Sequence, residues 1–213
     1  YKRQEGGGRS AMRGGRSAML RAAPITSGTI SFNHGNTKYD VGAMSKVGLK
    51  EYRKKAQLIF QDPYAALNPR MTVRDIIAEP LEVMELVQTR EEADQKVREI
   101  ASKCRLNLEH LRRFPHAFSG GQRQRISIAR TLVCSPNFVV ADESVAALDV
   151  SIQADILNLL KSLQNNLGLT FLFISHDLSV VAHICDSVAV MYLGTIVESA
   201  PTRSLFTQPK HPY

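Results

Sequence analysis

Hydrophobic and polar positions follow two patterns in the second half of the chain, and the patterns alternate. Short runs of consecutive apolar residues predict buried strands, and apolar residues three and four apart predict amphipathic helices. The strands are NFVVAD (137–142), LTFLFIS (169–175) and the two halves of SVAVMYLGTIVES (187–199). The helices are SGGQRQRISIARTLVC (119–134), VSIQADILNLLKSLQNN (150–166) and DLSVVAHIC (177–185). This alternation predicts an α/β fold whose parallel sheet is covered on both faces.

The first half of the chain contains two further predicted strands and then a helical block. The strands are GTISFNHG (28–35) and AQLIF (56–60), with turns between them. Helices are predicted in TVRDIIAEPLEVMELV (72–87), kinked at Pro80, in REEADQKVREIASKCRL (90–106), and in LNLEHLRRFPHAF (106–118), where Pro115 should end a short helix. Residues 62–118 should therefore form a helical subdomain inserted in the core. We expect one sheet to contain residues 57–61, 137–142, 169–175 and 187–192.

Composition and charge narrow the class of protein only slightly. With 44% hydrophobic and 22% charged residues, the 213 residues suit one soluble domain, or a core domain with a smaller insert. No apolar run is long enough for a membrane helix, and the three scattered cysteines suit a reducing cytosol. Residues 1–21 hold six basic side chains and one acid, so +5 of the net charge of +7 lies there and +2 elsewhere. A basic, Gly-rich end is more often a solvated tail than a binding surface, so the charge favours the tail but says little by itself about a nucleic-acid partner.

Polar side chains follow three of the predicted strands, at the edge where parallel sheets bind ligands. Asp142 and Glu143 end the strand NFVVAD, where the first carboxylate could hold Mg²⁺ and the second could orient a water for attack on a phosphate. His176 and Gln61 follow the strands LTFLFIS and AQLIF. Each has a structural alternative, because the acids could cap a helix and the other two could be structural or surface residues.

The segment SGGQ (119–122) precedes the rest of a predicted helix and so leaves backbone N–H groups at the positive end of that helix. Gly120 and Gly121 would let the backbone approach an anion closely. The alternative is an ordinary serine N-cap at Ser119 followed by a flexible turn.

Five motifs, in order, resemble those of the ATP-binding subunits of ABC transporters. FQDP (60–63) resembles the Q-loop, FSGGQRQRISIARTL (118–132) the signature, FVVADE (138–143) Walker B, SVAALDVS (144–151) the D-loop and FLFISHD (171–177) the switch-histidine segment. QDPYAALNPRMTV (61–73) and MYLGTIVESAPTRSLFTQPKHPY (191–213) resemble the oligopeptide and dipeptide importer branch. The resemblance covers residues 25–213 and implies a P-loop NTPase-like sheet core with an inserted helical subdomain.

The resemblance implies a head-to-tail pair of subunits that sandwich two ATP molecules. Asp142 would organise Mg²⁺, Glu143 would activate water, His176 would contact the γ-phosphate, and Gln61 would sense Mg²⁺ and link to the helical block. The residues expected to act across the dimer are Asp149 and the group that would grip the γ-phosphate of the opposite ATP: Ser119, Gly120, Gly121 and Gln122. Ser144 stands where the family usually has proline, a departure that should matter little.

The resemblance also implies partners at the cytoplasmic face of the cell membrane. They are transmembrane permease subunits, a second ATP-binding subunit and, indirectly, a substrate-binding protein. Tyr64, Leu67 and Met71 lie on the lobe that in this family receives a helix of the membrane subunit. We expect these three side chains either to dock there or to belong to the core.

The family's phosphate loop, G-x-x-x-x-G-K-[ST], matches this chain poorly. In the best alignment, SAMRGGRS (10–17), Ser10 replaces the first glycine and Arg16 the lysine, while Gly15 is kept and Ser17 keeps the hydroxyl that binds Mg²⁺. A forked guanidinium does not simply replace a compact ammonium in a tight loop. Residues 1–21 are thus a degenerate phosphate loop or a basic tail. Residues 22–213 should be an ABC ATPase domain, and without the strands that precede the loop it is expected to be incomplete at its N-terminus.

The motifs, the resemblance and the altered phosphate loop lead to three hypotheses about function. The first is a subunit that binds and hydrolyses ATP to power an importer of oligopeptides or dipeptides. The second is a degraded or truncated relative that docks on transporter subunits and binds ATP poorly. The third, an ABC-type ATPase acting on DNA, is disfavoured because residues 62–118 show neither a coiled coil nor a zinc insert.

Overall fold

The computed structural model describes residues 28–34 and 37–213, which form two compact units. The sheet unit comprises residues 52–177, and the hairpin unit comprises residues 28–34, 37–51 and 178–213. The predicted phosphate loop over residues 10–17, and with it Gly15, Arg16 and Ser17, lies outside the described residues.

The elements of both units alternate as the hydrophobic pattern predicts from residue 119 onward. In chain order they are β1 (Ser31–His34), β2 (Thr37–Asp40), α1 (Lys46–Lys55), β3 (Ala56–Ile59), α2 (Pro63–Ala66), α3 (Val73–Val83), α4 (Arg90–Lys103), two 3₁₀ turns (Leu108–His110 and Pro115–Ala117), α5 (Gly120–Leu132), β4 (Phe138–Asp142), α6 (Val150–Leu167), β5 (Thr170–Ile174), α7 (Leu178–Ile184), β6 (Ser187–Tyr192), β7 (Thr195–Pro201) and α8 (Thr202–Thr207). Among these described residues, no helix is both long enough and apolar enough to cross a membrane.

The sheet unit contains a parallel sheet in the order β3-β4-β5. Phe138 at the start of β4 pairs with Ala56 of β3 and with Thr170 of β5. The first residues of the three strands are therefore in register. The central strand is buried, and Val139 and Val140 are fully inaccessible. The prediction of short apolar strands in a parallel sheet is thus confirmed for these three strands.

The expectation that residues 187–192 join this sheet is wrong. In the described part of the chain, β6 pairs only with β7, as an antiparallel hairpin closed by Leu193 and Gly194. Both turn residues have positive φ, 48° and 87°, which suits the tight turns that connect adjacent antiparallel strands. The side chains of β6 are only half-buried or exposed, unlike the continuous burial of β4. The half-buried pattern suits a hairpin, whereas the apolar letters alone favoured a central strand.

The helices after residue 72 are largely those that the pattern predicts. Thr72 caps α3, which runs through Pro80 to Val83, and Thr89 caps the charged helix α4. The short helix expected in residues 106–118 is replaced by the two 3₁₀ turns, and Pro115 begins the second turn instead of ending a helix. Proline favours this position because its missing N–H is not needed in a first turn.

Two helices of the sheet unit pack beside the strands and carry the segments of interest. α6 buries Ile156, Leu159, Leu160 and Leu163, which are three, four and seven residues apart and so share a helix face. The hydroxyl of Thr131 in α5 donates to the carbonyl of Leu58 in β3 at 3.3 Å, which fixes this helix against the sheet. An ion pair between Arg125 and Asp155 joins α5 to α6. These contacts fix α5 with respect to β3 and α6.

Candidate functional site

The three parallel strands of the sheet unit end at one edge, and a polar residue follows each of them. Ile59 at the end of β3 pairs with Ala141, and Asp142 at the end of β4 pairs with Ile174 at the end of β5. Gln61, Glu143 and His176 come one or two residues after these strand ends. The local sequence therefore places all three side chains at the same edge of the sheet.

Glu143 lies at the centre of the cluster. The amide nitrogen of Gln61 donates to Oε2 of Glu143, and Nδ1 of His176 lies within hydrogen-bonding distance, 3.1 Å, of Oε1. The Glu143 side chain is 23% exposed and that of His176 is 66% exposed. The predicted convergence of Gln61 and His176 beside the end of β4 is confirmed, and both carboxylate oxygens of Glu143 have a partner.

The backbone at Glu143 adopts an uncommon conformation. Its φ is 44°, in the left-handed region that residues other than glycine seldom adopt. Its N–H donates to the carbonyl of Ile174 at 2.8 Å, and its carbonyl accepts from the N–H of Ala146 at 3.0 Å. These bonds hold the chain as it leaves β4 and turns. Such conformations cluster at functional sites, where the surroundings hold them in place.

Asp142 is the last residue of β4 and is only 6% exposed. A carboxylate and an amide oxygen are suitable ligands for Mg²⁺, which usually keeps several waters and binds substrate phosphates as well. Since the amide nitrogen of Gln61 faces Glu143, the amide oxygen is the atom that Gln61 would offer to a cation. The described residues contain no group of three or more His, Cys, Asp or Glu that could hold a metal. The carboxylate of Asp142 and the amide oxygen of Gln61 therefore fit a Mg²⁺ ion that would also be bound by phosphate and water.

The amino end of α5 carries the second predicted group. Ser119 is its N-cap, and the hydroxyl of Ser119 accepts from the N–H of Gln122 at 3.4 Å while the Gln122 side chain accepts from the N–H of Ser119 at 3.1 Å. This reciprocal pair is a capping box. The alternative of an ordinary serine N-cap at Ser119 therefore accounts for the hydrogen bonds of these two side chains within the chain. The first N–H groups of the helix, at Gly120 and Gly121, have no acceptor within the helix.

The two glycines differ in their surroundings. A Cβ atom added to Gly121 would lie 2.5 Å from Cγ2 of Ile152, a distance at which something must shift. A Cβ atom added to Gly120 would lie 3.7 Å from Cδ2 of Leu148 and 4.0 Å from the Tyr64 hydroxyl, which are ordinary contacts. Gly121 is therefore required by the packing of α5 on α6, and the packing leaves room for a side chain at Gly120.

The structure does not join every predicted residue into one site. Asp149 is the N-cap residue of α6 and is exposed, and its carboxylate accepts from the Ser151 hydroxyl at 3.2 Å. Within the described residues, neither Asp149 nor the side chains of Ser119 and Gln122 form a hydrogen bond with the Glu143 cluster. Their predicted roles lie across a dimer, so a single chain leaves those roles as predictions.

The structure shows the burial of three further residues, which the sequence did not predict. Leu67 is 3% exposed and so belongs to the core, whereas Tyr64 is 62% exposed. Directly after Glu143, the hydroxyl of Ser144 is buried and has no hydrogen-bond partner among the described residues. The sequence marks Ser144 only as a departure from the family's usual proline, and it does not predict that the hydroxyl is buried.

Comparisons with known proteins place the chain among ATP-binding cassette proteins. The model of the ABC transporter family matches residues 15–146. The oligopeptide transport ATP-binding protein OppF of Bacillus subtilis (strain 168) is 52% identical over 196 residues, which are 92% of this chain and 63% of OppF. The dipeptide transport ATP-binding protein DppF of Lactococcus lactis subsp. cremoris (strain MG1363) is 50% identical over 189 residues, 89% of this chain and 59% of DppF. The chain thus spans less than two thirds of the length of either relative.

Two solved structures share the fold. The ATP-binding cassette MJ0796, solved as a dimer in a post-hydrolysis state bound to ADP and Pi, superposes with a TM-score of 0.77 at 25% identity, over 93% of this chain and 82% of that one. The cbiO1 protein of Clostridium perfringens, part of the transporter complex cbiONQ, gives a TM-score of 0.77 at 23% identity, over 94% of this chain and 75% of that one.

Proposed function

The chain belongs to the ABC transporter family, and from this premise we propose that it is the subunit that binds and hydrolyses ATP to drive an importer of oligopeptides or dipeptides. The observation that carries the proposal is the cluster of Gln61, Glu143 and His176 at the ends of three parallel strands. The relatives OppF and DppF, named as oligopeptide and dipeptide transport ATP-binding proteins, support the choice of substrate.

The geometry of the cluster suggests how each side chain contributes. Glu143 accepts the proton of a water that attacks the γ-phosphate, and Gln61 and His176 hold its carboxylate in one orientation. Asp142 and the amide oxygen of Gln61 would hold Mg²⁺, together with Ser17 of the phosphate loop. When bound, the ion would supply positive charge against the phosphates. His176 contacts the γ-phosphate in this scheme, and its exposure supports that role.

A second ATP-binding subunit completes each site. The N–H groups at the amino end of α5, with Ser119 and Gln122, bind the γ-phosphate held by the opposite subunit, because a helix N-terminus favours anions. Asp149 reaches across the same interface. The dimer of MJ0796 bound to ADP and Pi supports this arrangement. Permease subunits and, through them, a substrate-binding protein complete an assembly at the cytoplasmic face of the membrane, with residues 22–213 as the ATPase domain and 62–118 as its helical subdomain.

The test is Glu143→Gln in the chain expressed with its permease partners. ATP hydrolysis should fall by about 10²–10⁴-fold, the usual contribution of a general base. An ATP-bound dimer should persist longer, because the groups that bind ATP remain. Glu109→Gln, which changes an exposed carboxylate outside the cluster, serves as the matched control and should leave turnover unchanged. Hydrolysis by the Glu143 variant at the unmodified rate would refute the role of this carboxylate. A wild-type chain that docks on the permease but neither binds nor hydrolyses ATP would favour the degraded relative instead.

The proposed phosphate loop, residues 10–17, should bind Mg-ATP weakly. Charge-assisted hydrogen bonds contribute roughly 1.5–3 kcal/mol each, so loss of the lysine geometry and of the contact at the first glycine together removes about 3–6 kcal/mol. This corresponds to an affinity roughly two to four orders of magnitude below that of a complete loop. The double variant Ser10→Gly, Arg16→Lys should recover part of the binding in a titration with a fluorescent ATP analogue, and Arg9→Lys should not. Tight binding that neither change affects would show that the phosphates bind elsewhere.

A further inference from the structure

One arginine of α5 contacts the segment that follows Gln61. The guanidinium carbon of Arg123 lies 4.1 Å from the ring centroid of Tyr64, which is the distance of a cation–π contact. Arg123 is in the first turn of α5 and Tyr64 is in α2. The contact therefore joins two segments that are far apart in the chain.

The same guanidinium also holds the turn that precedes α5. Its Nε donates to the carbonyl of Pro115 at 2.9 Å, and its Nη2 donates to the carbonyl of His116 at 3.3 Å. Both carbonyls belong to the 3₁₀ turn just before Ser119. A planar fork can donate two hydrogen bonds in its plane while its face covers an aromatic ring, which a lysine ammonium cannot do.

Tyr64 is itself fixed relative to Gln61. The carboxylate of Asp62, the residue after Gln61, accepts from the N–H of Tyr64 at 2.7 Å and so caps α2. The N–H of Ala66 donates to the carbonyl of Asp62 at 3.1 Å. The Tyr64 hydroxyl also approaches Gly120, within 4.0 Å of the position of a Cβ atom there. The ring thus lies between the short helix after Gln61 and the first turn of α5.

We propose that Tyr64 and Arg123 are positioning residues that fix the first turn of α5 relative to Gln61. The claim that this turn must be fixed for catalysis rests on the proposed function, in which the turn binds the phosphate of the opposite ATP. Neither side chain touches the nucleotide in this scheme. The pair acts through the N–H groups of residues 119–122 and should therefore affect ATP held by the partner subunit and not ATP bound to its own loop.

Hydrogen exchange of the nucleotide-free chain tests the positioning itself. In peptides covering residues 119–124, Tyr64→Ala and Arg123→Ala should speed exchange of the amides at Gln122 and Arg123 roughly two- to fivefold, the factor that a partly exposed cation–π contact supplies. Tyr64→Phe keeps the ring and should match wild type. Arg130→Ala is the matched control, because it removes an arginine of the same helix that pairs with Glu79 at 2.8 Å. It should leave these two amides unchanged.

Two hydrogen-exchange results would overturn the proposed positioning role of Tyr64 and Arg123. Equal exchange in wild type and both alanine variants would overturn the proposal. An effect of Arg130→Ala as large as that of Arg123→Ala would overturn it too, because a general loosening of α5 would then explain the result. A double variant, Tyr64→Ala with Arg123→Ala, should be no faster than either single variant if the two side chains act as one contact.

ATP-dependent dimerisation tests the consequence. Sedimentation of the Glu143→Gln chain with Mg-ATP should show a dimer that Tyr64→Ala or Arg123→Ala weakens roughly two- to fivefold, while the affinity of the monomer for ATP stays the same. Faster exchange with unchanged dimerisation would overturn the functional half of the proposal. If the parent Glu143→Gln chain forms no dimer with ATP, the proposed function fails, and hydrogen exchange alone still decides the positioning role.

Discussion

Replacing Gly121 with alanine should destabilise the sheet unit through a single steric clash. The added Cβ atom would lie 2.5 Å from Cγ2 of Ile152, below the separation that real Cβ atoms show. Ile152 is β-branched and sits in the first turn of α6, where one χ1 rotamer is strongly preferred. The Cγ2 methyl group of Ile152 therefore cannot move away without an unfavourable change of χ1, and α5 and α6 must move apart.

The change in the free energy of unfolding caused by Gly121→Ala is the sum of two opposing effects. Forcing an extra methyl group into a packed contact costs about 1–3 kcal/mol. Replacing glycine with alanine in a helix returns up to about 1 kcal/mol, so after this full gain the free energy of unfolding should fall by up to about 2 kcal/mol. Gly120→Ala is the matched control one residue away. Its new methyl group meets Leu148 only at 3.7 Å, and the stability should stay the same or rise slightly.

Urea unfolding followed by far-UV circular dichroism measures both variants, and hydrogen exchange in α5 and α6 assigns the loss to the sheet unit. In an Ile152→Ala background the penalty of Gly121→Ala should shrink, because the clashing methyl group is gone. The reasoning is refuted if Gly121→Ala is as stable as Gly120→Ala. On the proposed function, Gly120→Ala should still weaken the ATP-dependent dimer while it leaves stability intact, which would separate the packing glycine from the phosphate-facing one.

Two further substitutions test polar groups of the sheet unit. Ser144→Ala removes a buried hydroxyl that has no hydrogen-bond partner in the part of the chain that the structure describes. It should raise the free energy of unfolding by about 1 kcal/mol in the same urea assay, and a loss of stability would contradict this. The pKa of Asp75 is lowered mainly by the hydrogen bond from the Thr72 hydroxyl at 2.6 Å, against the opposing effect of burial and with help from Arg74. Because the folded-state pKa lies below the unfolded one, this stabilisation is complete above the unfolded pKa and is lost as pH falls through the folded pKa. Asp75→Asn should therefore lower the urea midpoint at pH 7, and this loss should shrink progressively as pH falls below 3.8, the ordinary pKa of the carboxyl. A loss that does not shrink with falling pH would refute the assignment.

The sheet and its covering helices were predictable because burial dictates their residue pattern. β4 is apolar on both faces, and only a strand covered on both sides tolerates that pattern. α6 shows apolar residues at helical spacing and ends at Gly168, whose φ of 62° suits a helix C-cap. In both elements the local sequence and the tertiary environment favour the same structure, so the local signal was enough.

Elements that lack such agreement were missed or misassigned. α1, KVGLKEYRKK, buries only Tyr52 and has few apolar residues, so helical spacing gave no signal. β6 was assigned to the parallel sheet because its letters are apolar, although its pairing with β7 depends on the turn at Leu193 and Gly194. Strand partners are decided by contacts between segments, and a single sequence does not record such contacts.

Some features of the candidate site were also predictable from the sequence, and others were not. Gln61 and His176 could be placed beside Glu143 from strand ends alone, because parallel strands bring their carboxyl ends to one edge. The partner of each carboxylate oxygen, the capping box at Ser119 and the stacking of Arg123 on Tyr64 depend on side-chain rotamers. Rotamers are selected by packing, so these contacts became visible only in the folded chain.

The arrangement around Glu143 constrains how the cluster would respond to nucleotide on the proposed function. An amide carries a donor and an acceptor at once, so Gln61 can keep its N–H bond to Glu143 while its oxygen faces a cation. His176 is the exposed member, at 66%, and it contacts Glu143 through Nδ1 only. Its other ring nitrogen, Nε2, can therefore meet a γ-phosphate while Nδ1 keeps its contact with Oε1. Gln61 and His176 then hold both carboxylate oxygens in one orientation, and the lone pairs that remain on these oxygens accept the proton of the attacking water.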